Sequence, residues 1–138
     1  MGAYKDIRVF RVYDSAIVAV GTTLTAGGPS AGATGVTTDG IDLGTVADQY
    51  TFSVQLAITT GTVGTSVNLG YVLSNDNVNF LEPDNTSTIV NDFTDSSGPL
   101  KNGKGIFTFT PMLARYMKIS AYAHDAGGAT VTVDLAVH

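Results

Sequence analysis

The segment Tyr50 to Thr59 constrains the fold more than any other part of this sequence. Tyr50, Phe52, Val54, Leu56 and Ile58 alternate without a break against Thr51, Ser53, Gln55, Ala57 and Thr59. A period of two places the apolar side chains on one face of an extended strand and the polar ones on the other. Such a strand belongs to an antiparallel sheet that is covered on one side and wetted on the other. The same period recurs in Ser66–Leu73, with Val67, Leu69, Tyr71 and Leu73 on one face. It recurs again in Ala114–Tyr122, through Met117, Ile119 and Ala121, and in Ala129–Val137, through Val131, Val133, Leu135 and Val137. Phe107 and Phe109 face one way in a further strand, which stops at Pro111, a residue that cannot donate to a ladder and so marks a corner.

Turn chemistry separates these runs. The stretch Thr60-Gly61-Thr62-Val63-Gly64-Thr65 predicts a hairpin over Tyr50–Leu73, and His124-Asp125-Ala126-Gly127-Gly128 predicts a second hairpin loop. The polar group Ser74-Asn75-Asp76-Asn77 predicts a turn before Phe80 resumes the apolar pattern as an aromatic anchor. Asp6–Tyr13 reads as a first strand with apolar groups on both faces, either doubly buried or lying as an arm against another subunit. Ser15–Val20 reads as a second short apolar run. Between Gly21 and Gly40 there are six glycines, counting both ends, with little bulk and no period. A stretch of that kind is a surface loop, or a loop that a neighbour orders, because its apolar area does not offset the entropy of ordering. Asp84–Gly103 is polar, with Ile89, Val90 and Phe93 tacking it to the core. No helix is required. The expectation is an all-β fold, an antiparallel β-sandwich or jelly roll of about seven to nine short strands. It forms one domain over residues 1–138, with an N-terminal arm over 1–13 and a long Gly/Thr-rich loop over 21–44.

Charge and cysteine content narrow the function classes. Only 14% of the residues are charged, against about 25% in an ordinary globular domain, and the net charge is −5. Neither nucleic acid nor an anionic membrane is a partner for such a surface. Without cysteine there is no disulfide framework and no thiolate metal site. No run approaches the roughly 18 apolar residues of a membrane-spanning helix. The N-terminal charges Lys5, Asp6 and Arg8 stand where a secretory signal needs an apolar run, so synthesis in the cytosol is expected.

Candidate chemistry is sparse. Asn75, Asp76, Asn77, Asn79, Glu82 and Asp84 offer oxygens of the kind calcium takes, but without the spacing of a calcium loop. A turn whose Asx side chains bond their own backbone is the favoured reading, and no cofactor or metal is assigned. His124, Asp125 and Ser120 supply the residue types of a hydrolase triad, yet no Gly-x-Ser-x-Gly nucleophile motif accompanies them, so the chain is read as not an enzyme. Arg115, beside Tyr116, is expected to bury its stem on an edge strand and pair with a loop acid.

The stretch Tyr71-Val72-Leu73-Ser74-Asn75-Asp76-Asn77-Val78-Asn79-Phe80, taken with Ala114-Arg115-Tyr116-Met117-Lys118-Ile119, resembles a pattern of small β-sandwich structural proteins of tailed bacteriophages. The resemblance covers Ser66 to Val137, and a Thr/Val strand closes it. Discoidin-like jelly rolls share a similar Ala-Arg-Tyr strand, so the pattern speaks more to fold than to role. Asn77 stands where the pattern often has glycine. What the resemblance implies is a virion component: a decoration or cement protein on the capsid exterior, made in the host cytoplasm and bound to the major capsid protein. It further implies a homo-oligomer, often a trimer about a local three-fold axis. The contact residues expected on this reading are Tyr4, Lys5, Ile7, Arg8, Phe10 and Arg11 of the arm and Leu24, Pro29 and Val36 of the loop. The alternative is a host-surface or glycan-binding module of a tail or baseplate.

Overall fold

A computed structural model describes residues 7–19, 21, 23–26, 40–46, 51–60, 65–84, 87–124 and 127–137. The alternating segments form nine strands: β1 (Arg8–Val18), β2 (Thr23–Ala26), β3 (Ile41–Asp42), β4 (Phe52–Thr60), β5 (Ser66–Ser74), β6 (Thr88–Phe93), β7 (Lys104–Phe109), β8 (Tyr116–His124) and β9 (Ala129–Val137). One turn of 3-10 helix follows β3 at Leu43–Val46. Sheet A runs β1-β9-β4-β7; sheet B runs β2-β8-β5-β6, with β3 also on β8. Every pairing between these strands is antiparallel. The protein is an antiparallel β-sandwich.

The inner faces are the ones the period of two marks out. Val54, Leu56, Val131, Val133 and Leu135 from sheet A meet Val67, Leu69, Tyr71, Met117 and Ile119 from sheet B, all of them buried. Each such side chain contributes about 1.5–3 kcal/mol by leaving water. Tyr13 crosses between the sheets and donates its hydroxyl to the carbonyl of Ile119 at 2.7 Å, so its burial leaves no orphaned polar group. Phe93 and Phe107 meet edge to face at 5.5 Å between centroids and close the β6–β7 side.

Several expectations are corrected here. β4 and β5 do not form a hairpin: β4 pairs with β7 and β9, and β5 with β6 and β8. β8 and β9 likewise lie in opposite sheets. In both cases the chain reverses between layers, which places two apolar faces against each other instead of side by side. The separate runs Asp6–Tyr13 and Ser15–Val20 are one strand, because Ser15 takes a left-handed φ of 51° in a bulge and its N–H donates to Thr132 Oγ1 at 3.1 Å. Residues Arg8–Tyr13 are thus a strand of sheet A, not an arm. The stretch 21–44 contributes β2 and β3, and Ile41 and Leu43 are buried in the core. In the polar stretch 84–103, Ile89, Val90 and Phe93 do tack the chain to the core, and they do so from β6, whose bulged register hides its period from the sequence.

The register also defines the two ends of the sandwich. Arg8, Val137, Phe52 and Phe109 stand in one row across sheet A, and Ser74 pairs with Tyr116 in sheet B. The segment 110–115 links β7 to β8 at this same end.

Candidate interaction surfaces

The Asx cluster after β5 is a folded knot. Ser74 Oγ donates to Asp76 Oδ1 at 2.7 Å and accepts from the N–H groups of Asp76 and Asn77. Asp76 Oδ1 accepts from the N–H groups of Val78 and Asn79 at 2.9 and 2.8 Å, and Oδ2 accepts from Asn79 Nδ2 at 2.9 Å. Those donors, the Asn79 and Val78 amides first, hold the Asp76 carboxyl far below the ordinary carboxylate range. Asn77 sits at φ 58°, a left-handed position that suits Asn as well as the Gly of the phage pattern, and its Oδ1 accepts from Gly40 N–H at 2.8 Å. Asn75 Oδ1 accepts from Arg115 N–H at 3.0 Å. The amides therefore tie the β5 turn to β3 and β8. Arg115 is corrected too: it is exposed, precedes β8 and pairs with an acid on a strand, its guanidinium meeting both oxygens of Asp42 on β3 at 3.2 and 3.3 Å and lowering the Asp42 pKa with help from the Gly44 N–H.

Phe80 lies outside the core. Its ring stacks under Lys118 Nζ at 4.2 Å from the centroid, beside Gly40.

His124 is not paired with Ser120. It lies against Ser66 Oγ (3.0 Å from Nε2), Asn68 Oδ1 (3.2 Å) and Asp92 Oδ1 (3.0 Å), while Tyr122 stacks on its ring at 5.9 Å. Ser66 Oγ also lies 3.3 Å from Nδ1, so the ring is held between Ser66 and Asn68 of β5 and Asp92 of β6. Asp92, at φ 55°, donates its N–H to Asn68 Oδ1 and so anchors the β6 bulge to β5. Asp125 lies outside the described residues.

The expected contact residues divide. Ile7 and Arg8 are exposed. Phe10 is partly buried and packs against the core, as does Leu24. Arg11 is exposed but engaged, with Nε and Nη2 donating to Asp134 at 2.7 and 3.0 Å and Nη1 3.5 Å from Asp14. Tyr4, Lys5, Pro29 and Val36 lie outside the described residues.

Two surfaces escaped the sequence reading. The first is the outer face of sheet A, where the register aligns Thr130, Thr132 and Ala136 of β9 with Thr59, Ala57 and Ser53 of β4. Exposed Ile17 and Ile106 flank it, and its central ion pair is the internally neutral Arg11–Asp134. The second is an open groove of about 710 Å³ at the 110–115 end, floored by Leu73, Leu81, Pro83, Met112, Leu113 and Ala114 and rimmed by Asp76, Glu82 and Asp84. Leu113 is fully exposed and Leu81 is 69% exposed. The signal lay in Met112-Leu113, an apolar pair directly after a proline corner.

The fold defines the class, an antiparallel sandwich with exposed apolar side chains gathered at one end. Neither protein-family models nor curated proteins match the chain. Among solved structures it is similar to the crystal structure of infectious bursal disease virus VP2 subviral particle, with a TM-score of 0.52 and 13% identity, over 96% of this chain and 32% of that one. The chain thus spans about a third of that protein's length, and the likeness is one of fold.

Proposed function

We propose that the chain is a virion structural protein, specifically a decoration or cement protein of a tailed-phage head that binds the major capsid protein on the capsid exterior. The observation that carries this reading is the outer face of sheet A, where Ser53, Gln55, Ala57 and Thr59 of β4 lie beside Thr130, Thr132 and Ala136 of β9, with Ile106 and Lys104 on the β7 edge and the Arg11–Asp134 pair across β1 and β9. Neutral side chains of this kind cost less to dehydrate against a second surface than unpaired charges do. A protein that binds the assembled shell better than its free subunits stabilises the shell by mass action. The capsid origin of the similar structure and the phage-like motifs support the same reading.

The test is co-sedimentation with emptied capsids stripped of minor proteins, followed by heating. Saturable pelleting and a raised temperature of shell disruption are expected. Thr59→Glu and Ala57→Glu, neighbours on the outer face, should each weaken pelleting about tenfold or more while leaving the unfolding midpoint in place. Wild-type protein that stays in the supernatant would sink the proposal.

A glycan-binding module is the second reading, favoured by one observation: Tyr116 and Tyr122 alternate with buried residues and so face outward from sheet B. It predicts retention on a glycan array that Tyr122→Ala abolishes, without capsid binding.

A further inference from the structure

The exposed apolar side chains are not spread over the surface. Of the nine large ones among the described residues, Ile7, Val9, Val78, Leu81, Met112 and Leu113 all lie at the end of the sandwich where β1 starts and β7 passes into β8. An apolar end of that kind on a folded domain marks a contact surface. It divides into two patches. One is the groove, with Glu82 and Asp84 on its rim. The other is the start of β1, where exposed Ile7 and Val9 flank Arg8, with Lys5 close by in sequence. Neither Arg8 nor Glu82 nor Asp84 makes an ion pair within the described residues.

We infer that the groove takes the start of β1 from a second copy of this chain, with Ile7 and Val9 against Leu81 and Leu113 and Arg8 against Glu82 or Asp84. Within one molecule the two patches do not meet: β1 and β7 are the opposite edges of sheet A, three strand spacings or about 14 Å apart. Both patches nonetheless share one end of the sandwich. A two-fold axis across that end therefore seats each β1 in the other copy's groove, so both contacts form at once and the assembly closes as a dimer. The charge pattern selects this partner: the acidic rim repels another acidic rim and accepts the cationic strand start. The inference concerns self-association and does not depend on capsid binding.

Sedimentation equilibrium of the full chain should show a dimer. Arg8→Glu or Glu82→Arg alone should raise the dissociation constant about tenfold or more, and the two together should restore dimerisation. The absence of cysteine from the chain makes cross-linking clean. Chains carrying Ile7→Cys mixed with chains carrying Leu113→Cys should form the 7–113 disulfide on oxidation, and an Ile106→Cys control chain should not replace either. A disulfide needs Cα atoms within about 7 Å, so this bond reports the proposed contact. A monomer at all concentrations, a trimer, or a 7–113 bond no more frequent than one to position 106 would overturn the inference. All these positions are exposed, and an unchanged thermal midpoint for each variant verifies that it is folded.

Discussion

At the scale of single residues, the short polar side chains of the Asx knot do the work that a longer loop would otherwise need. Asp76 is exposed, yet four hydrogen bonds from Ser74, Val78 and Asn79 converge on its carboxylate. Its folded pKa is lowered from an ordinary 3.8, so the carboxylate contributes stability above that value. This contribution is lost as pH falls through and below it. Asp42 is shifted in the same direction by Arg115. Asp76→Asn should therefore lower the thermal midpoint at neutral pH and flatten its decline between about pH 5 and pH 2. Asp42→Asn should remove a further part of the slope. An acid limb as steep in Asp76→Asn as in the wild type would show that this carboxylate is not the group responsible.

At the scale of elements, the bulges decide which residues face inward. Val12 and Tyr13 are consecutive and both fully buried, which an unbroken strand forbids and the register shift at Arg11/Tyr13 permits. β6 depends on a close approach at Gly70. A Cβ there would sit 2.6 Å from the carbonyl oxygen of Ser87, the same oxygen that accepts from Tyr71 N–H at 2.9 Å. Backbone atoms cannot yield as a flexible side chain does, so Gly70→Ala should cost roughly 1–3 kcal/mol. Amide exchange should locate the damage: β6 amides should lose protection while those of β4 and β9 keep it. Uniform loss, or none, would contradict the geometry.

At the scale of the whole molecule, the first strand pairs with the last, since Arg8 stands opposite Val137. β9 joins β1 to β4, so sheet A cannot assemble until nearly the whole chain is available. Closing such distant contacts first costs loop entropy, and refolding in stopped-flow experiments should take milliseconds to seconds, as in other all-β domains. Microsecond refolding would point to a nucleus in the sequence-adjacent β5–β6 pair and not in sheet A. The inward and outward faces of β4, β5, β8 and β9, and with them the sandwich class, were legible in the sequence because a period of two ties each side chain's direction to its place in the chain. The knot at Asn75–Asn79 was legible too, since Asx turns bond within a few residues. What only the tertiary structure decided is which strand lies beside which. Gly61, Gly64, Gly127 and Gly128 announce that the chain reverses but carry nothing on whether it returns to its own sheet or crosses to the facing one. The groove was hidden for the same reason: Leu81 and Leu113 lie 32 positions apart in the sequence and share a surface only because β5 and β8 are neighbours.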